Sequence, residues 1–198
     1  MKKPMSFKHL VLAMLLLAPG AATRADWELD NTKSVINFVS IKNDSVGEVH
    51  SFVSIVGFIR ADGNVQLTVN LDSVQTAIDI RNERMREMLF ETTKFPSAKL
   101  TAQVQADLLA EAANGGVVTA EVPVTLSLHG VEKTQTVAVV VVGEGQNNLR
   151  VFTAHPVLIS AADFGLVSGI SALQQVAGLK AISSTVPVTL QLRFVQAR

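Results

Sequence analysis

The chain has 198 residues, with 17 Lys and Arg balancing 17 Asp and Glu, no cysteine and no tyrosine. That length supports one domain with a real core, and the missing cysteine excludes both a disulfide frame and a lipid-accepting cysteine behind a leader. Lys2, Lys3, Lys8 and Arg24 precede Asp26 and no acidic residue does, so 13 basic residues face 17 acidic ones from Asp26 onward, a net charge of −4, which excludes the electrostatic footprint of a nucleic-acid binder and any pull toward anionic membrane surfaces.

In chain order, the first element is a leader. Lys2, Lys3 and Lys8 flank an apolar run from Leu10 to Ala18, and small residues follow from Pro19 to Ala25. Basic flank, short apolar core and small-residue exit make a secretory signal; the run of about nine residues falls short of the roughly 20 that a spanning helix needs. Thr23-Arg24-Ala25 offers small residues where a signal peptidase reads, so 1–25 is expected to be a removed leader and 26–198 the domain.

From Asp26 the dominant period is two. After the turn signal Asp62-Gly63-Asn64, Val65, Leu67, Val69 and Leu71 alternate with Gln66, Thr68, Asn70 and Asp72, one face dry and the other wet. Asp79 to Phe90 changes period: Met85 stacks over Met88 and Leu89 while Arg81, Arg84, Arg86 and Glu87 mostly take the wet side, which predicts a helix. Alternation returns at Ala98, Leu100, Ala102 and Val104 and, past Asn114-Gly115-Gly116, at Val122, Val124, Leu126 and Leu128. Beyond His129-Gly130, Val137 to Val142 is apolar on both faces; a barrel strand tolerates that only where its outer side is covered, as a helix packed outside would do. After Gly143-Glu144-Gly145, the stretch Ser168–Leu179 puts Ile170, Leu173, Val176 and Ala177 on one stripe and stops at Gly178, a glycine-terminated helix able to plug or lid a barrel end. The last alternation runs Val186, Val188, Leu190, Leu192, Phe194. Pro123 and Pro187 fall on the outward register, where a missing N–H belongs at strand starts, bulges or unpaired edges. Many strands with short turns argue for an antiparallel sandwich or a closed barrel.

Several blocks together resemble one family. Trp27-Glu28-Leu29-Asp30 and Ser34-Val35-Ile36-Asn37-Phe38 look like the opening strand of YceI-like proteins, and Val46 to Gly57 like the region that follows it. Asp72-Ser73-Val74-Gln75-Thr76 is similar to the family's "S-[IV]-x-T" element; Arg81-Asn82-Glu83-Arg84 through Leu89-Phe90-Glu91 and Lys94-Phe95-Pro96 resemble its "R-x-E-x-L … F-F-D … [KR]-[YF]-P" segment. Leu126-Ser127-Leu128-His129-Gly130-Val131-Glu132-Lys133 resembles "L-T-L-x-G-V-[TE]-[KR]". The resemblance implies an all-β, antiparallel, lipocalin-like barrel of about eight strands, covered or plugged by one or two short helices, with room for one small ligand. It further implies a non-catalytic periplasmic carrier for a polyisoprenoid or similar lipid, without cofactor or metal. Two departures stand out. Ile159 to Gly165 lacks the arginine of the family's "[IV]-x-R-x-[DE]-[FW]-G", and Ala181 to Val186 lacks the acidic pair of its "V-S-D-E-V". Lys33 also stands where the family often has a histidine.

Candidate cavity residues are Phe38, Phe52, Phe58, Met85, Leu89, Phe90, Phe95, Leu126 and Leu128, since methionine and phenylalanine adapt to flexible chains. For a polar head, the candidates are His50, Arg81 and Arg84, which sit beside apolar segments. Catalysis has little material: His50, His129 and His155 lack metal-ligand spacing, and no G-x-S-x-G occurs. An outer-membrane barrel would carry aromatic girdles, whereas Trp27 is the sole tryptophan. A ligand-free envelope interaction or stress protein with a filled barrel is the alternative, and the reading leaves room for a homodimer.

Overall fold

Alternating side chains become a curved wall. The computed structural model describes residues 26–197, so the expected leader lies outside the described residues. Its strands are β1 (Trp27–Leu29), β2 (Val35–Lys42), β3 (Val46–Phe52), β4 (Ile55–Ile59), β5 (Asn64–Asn70), β6 (Val74–Gln75), β7 (Ser97–Gln103), β8 (Val117–Leu128), β9 (Val131–Gly143), β10 (Leu149–Thr153), β11 (Val157–Ser160) and β12 (Thr185–Gln196). Three helices interrupt them: α1 (Asp79–Arg84), α2 (Ala106–Ala113) and α3 (Val167–Val176).

The order β1-β4-β5-β7-β8-β9-β10-β12 closes on itself through β12–β1, giving an eight-strand antiparallel barrel. β2, β3 and β6 extend the wall at one end because the chain bends rather than stops. A 3-10 turn at Asn31–Lys33 joins β1 to β2, and another at Leu71–Ser73 joins β5 to β6. In the first, the Asp30 carboxylate accepts from Thr32 N at 3.1 Å and from Arg193 Nη1 at 3.0 Å, fastening the bend to β12. His129-Gly130 is a two-residue hairpin with φ of 52° and 78°, the left-handed pair that matches strand twist.

Both outward prolines sit where a ladder ends. The β7–β8 register stops at Ala102↔Val124, one residue short of Pro123. The β12–β2 register stops at Val188↔Phe38, one short of Pro187. On the other side each proline keeps a partner, Pro123 opposite Thr136 of β9 and Pro187 opposite Leu158 of β11, so each ring coincides with the end of one ladder while the other runs on.

The expected helix at Asp79–Phe90 is present but changes pitch. α1 passes into a π-helical segment, Met85–Leu89, in which Phe90 N donates to Met85 O at 2.9 Å. The Ser168–Leu179 helix is α3, and Gly178, at φ 63°, terminates it. Sequence reading missed α2, an alanine-rich segment without a side-chain N-cap. α2 also corrects the expectation of a helix outside Val137–Val142. Its Leu109 is buried and reaches the barrel interior, so α2 closes the end of the barrel and does not cover β9. On the outer face, Val140 pairs with Phe152 and Val142 with Arg150, and these neighbours leave both valines half-buried.

Candidate ligand cavity

Every strand of the closed ring except β1 contributes its inward register to one free space of about 260 Å³, close to the ~300 Å³ lower bound of ordinary ligand pockets. Leu67 and Val69 of β5, Leu100 and Ala102 of β7, Val124 and Leu126 of β8, Val137 and Val139 of β9, and Leu190 and Leu192 of β12 all line it. Thr101 and Gln135 are the polar residues of the lining, and no charged side chain belongs to it. Each methylene that such a surface takes from water is worth about 0.8 kcal/mol, so five supply roughly 4 kcal/mol, near a thousandfold in affinity. The lining is thus a hydrocarbon surface broken by two uncharged polar side chains.

Helices stop both ends. Leu109 of α2 reaches the cavity from one side, and Leu89, Phe90, Leu166 and Ile170 from the other. At that second end α3 lies directly on the π-helical segment. A Cβ added at Gly169 would stand 2.6 Å from Met88 O and 2.8 Å from Leu89 Cα, so only glycine permits this approach.

Of the expected cavity residues, Phe38, Phe52, Leu89, Phe90, Leu126 and Leu128 line the space. Phe58 does not. Ile55 and Ile59 take the inward register of β4, which turns Phe58 outward to its pair partners Glu28 and Gln66, with Arg60 5.1 Å over its ring. Met85 is buried in the core beside the cavity; the wider π-helical turn presents Leu89 and Phe90 in its place. Phe95 packs against the His129 ring at 4.3 Å, on the far side of the β8–β9 turn.

The head-group candidates occupy the rim but do not line the cavity. Glu48 bridges Lys42 Nζ at 2.9 Å and Arg81 Nη1 at 2.7 Å; the Lys42 hydrogen bond and then Arg81 hold its carboxyl below the usual range. Arg81 also donates to Thr76 O at 2.5 Å, and Asn82 Oδ1 accepts from Thr76 N and Oγ1 at 2.8 and 2.7 Å. These contacts fasten α1 to the end of β6. His50 is buried, 5.2 Å from Phe38 ring to ring, with Nε2 2.7 Å from Ser40 Oγ. Burial foremost, then the nearby Arg81 charge, pushes its pKa down. His50 Nδ1 and Arg81 Nε are buried without a protein partner among the described residues, and Arg84 makes no ion pair there.

The other histidines are dispersed. His129 places Nδ1 3.2 Å from Phe164 O and Nε2 3.0 Å from Glu91 Oε2, whereas His155 is exposed. Among the described residues no three His, Cys, Asp or Glu side chains are grouped to hold a metal, and no helix is long and apolar enough to cross a membrane. Gln66, Lys99, Gln103 and Glu121 are exposed on the outer register, the reverse of a membrane barrel's apolar belt.

A closed barrel with an apolar bore defines a lipocalin-like binding protein. The YceI-like domain model matches residues 27–194, and the chain belongs to that family. It is 35% identical over 153 residues to the UPF0312 protein of Shewanella denitrificans, covering 71% of this chain and 76% of that one. A polyisoprenoid binding domain from Saccharophagus degradans superposes with a TM-score of 0.83 at 38% identity, covering 88% of this chain and all of the other. BcnA of Burkholderia cenocepacia shares the fold, with a TM-score of 0.65 at 17% identity over 83% of this chain and 98% of its own.

The two departures from the family pattern meet in space. Ala161, at the position of the family's arginine, donates its N–H to Ser184 O at 2.8 Å, and Ser160 pairs with Thr185. The positions of the family's arginine and acidic pair are therefore neighbours, and Ala161, Ser184 and Thr185 leave them uncharged. Ala161 lines the cavity, and that corner is apolar.

Proposed function

We propose that this protein is a non-catalytic periplasmic carrier of an apolar or amphiphilic chain, a polyisoprenoid or related lipid. The observation that carries the reading is the bore: a free space of about 260 Å³ walled by the inward side chains of the barrel, with no charged side chain in the lining. Such a space is costly unless occupied, because unfilled cavity weakens a fold by about 24 cal/mol per Å³. The polyisoprenoid-binding relative at 38% identity supports the ligand class. A basic, apolar and small-residue start to the chain supports export.

The test is native mass spectrometry of protein released from its own host by osmotic shock. The expected result is a co-purifying apolar mass that organic extraction removes. Protein that is absent from the shock fluid contradicts the location; protein that carries no lipid and gains no thermal stability from added prenyl alcohol is a ligand-free module.

A further inference from the structure

The barrel wall is hydrogen bonded all the way round only in its α2 half. β9 pairs with β10 from Val139 to Gly143, and Ala154 N donating to Ala138 O at 2.8 Å is the last rung. From Val131 to Val137, β9 keeps β8 on one side and no backbone partner on the other among the described residues. β11, which continues β10 beyond Pro156, pairs with β12 alone. Strand order sets these two open edges face to face. They bound a slit spanning six residue steps of β9, about 20 Å at ~3.3 Å each. The Ala154–Ala138 rung closes it at one end, and the 3-10 turn Ala161–Phe164, packed on Val131, closes it at the other.

The side chains change character at the same place. Val141, Val139 and Val137 line the cavity from β9, and the next two positions on that register are Gln135 and Lys133. Gln135 pairs with Val124 and Lys133 with Leu126, both lining residues, so the two polar side chains are rooted on the inner face. Nevertheless Lys133 is exposed and Gln135 only half-buried. A side chain rooted inside reaches solvent through a gap, and the barrel end beside Lys133 is covered by the Ala161–Phe164 turn. Opposite them, Val157 and Ile159 of β11 line the cavity. The slit has one polar and one apolar lip.

We propose that the slit between β9 and β11 is the entrance through which a chain enters the bore, with Lys133 and Gln135 holding its oxygen-bearing end at the lip. This rests on the carrier reading above. Unpaired strand edges keep their N–H and C=O groups in water, so parting them breaks no ladder hydrogen bond. Entry through the α1–α3 end must instead separate helices in backbone contact at Gly169. An ammonium with three donors and an amide with two match a hydroxyl, carboxylate or phosphate end. Lysine on an open edge also discourages strand addition, and the experiment separates the two roles.

Because the sequence lacks cysteine, a single introduced thiol can be labelled cleanly. Gln135→Cys and Val167→Cys, the second on exposed α3 surface, are modified with a bulky maleimide, and uptake of retinol, a fluorescent isoprenoid alcohol, is followed by stopped flow. The label at 135 should slow uptake about tenfold or more while the label at 167 leaves it within about twofold. Lys133→Glu should weaken retinoic acid several-fold more than retinol, and Lys133→Arg should restore it. Uptake slowed by the label at 167 and not at 135 overturns the entrance, as does uptake indifferent to both, in which case Lys133 and Gln135 merely guard an edge. Unlabelled protein that takes up neither probe defeats the carrier reading itself, and the entrance with it.

Discussion

Ala102→Leu asks whether the space inside the barrel is free. Ala102 points inward between its ladder partners Val65 and Val124, and all three line the cavity. Three added carbons placed in vacant apolar space gain about 2.4 kcal/mol at ~0.8 kcal/mol each. A compact unfolded chain removes 10–40% of that, roughly, and ordering a leucine costs about 0.5–1 kcal/mol. The net expectation is a gain of about 1 kcal/mol, whereas the same carbons forced into a solid interior cost about 1–3 kcal/mol. The two pictures thus differ in sign. Urea denaturation reads the answer as a raised midpoint at unchanged m-value. A chain using that volume would lose the same three methylenes, so retinol should bind about fiftyfold more weakly. A lowered midpoint would refute the free space; a raised midpoint with unaltered retinol affinity would refute its use by the ligand.

Two further expectations concern the covered end. Gly169→Ala places a carbon 2.6 Å from Met88 O, and prising α3 from the π-helical segment should lower stability by about 1–3 kcal/mol, read as a lower urea midpoint; an unchanged midpoint would mean the two helices are not in firm contact. His50 supplies a pH dependence. Its native pKa is lowered by burial and by Arg81, with Glu48 opposing and Lys42 reinforcing, while the unfolded chain takes its proton near the ordinary value of about 6.5. Below that pH the unfolded state binds more protons than the native state, so stability is full above about 6.5 and falls as the solution is acidified. Denaturation series at pH 7 and pH 5 should show this loss, and His50→Gln should reduce it; an equal loss in the variant contradicts the assignment.

The walls of the cavity were legible residue by residue wherever strands alternate strictly. The dry positions of 65–71, 98–104, 122–128 and 186–194 face the interior as read. Phe58 was misplaced because Gly57 interrupts the apolar register of β4 and bulk drew attention to the wrong face. Met85 failed for a different reason: helical spacing assumes 3.6 residues per turn, and the π-helical segment departs from it. α2 gave no capping signal, so its alanine-rich stretch went without an assignment. The slit was visible only as Lys133 and Gln135 on a valine register. That anomaly acquires meaning once strand order shows that β11 does not pair with β9.

Pro123 has a consequence for bore diameter. It stands one step past the end of the β7–β8 ladder, a seam of the closed ring, so sliding β7 along β8 to extend that pairing would bring a ring nitrogen opposite a carbonyl that needs a donor. Stagger between neighbours fixes the girth of a closed barrel. One imino acid thereby acts as a stop on a stave, and part of the width available to a guest is written into the covalent chain.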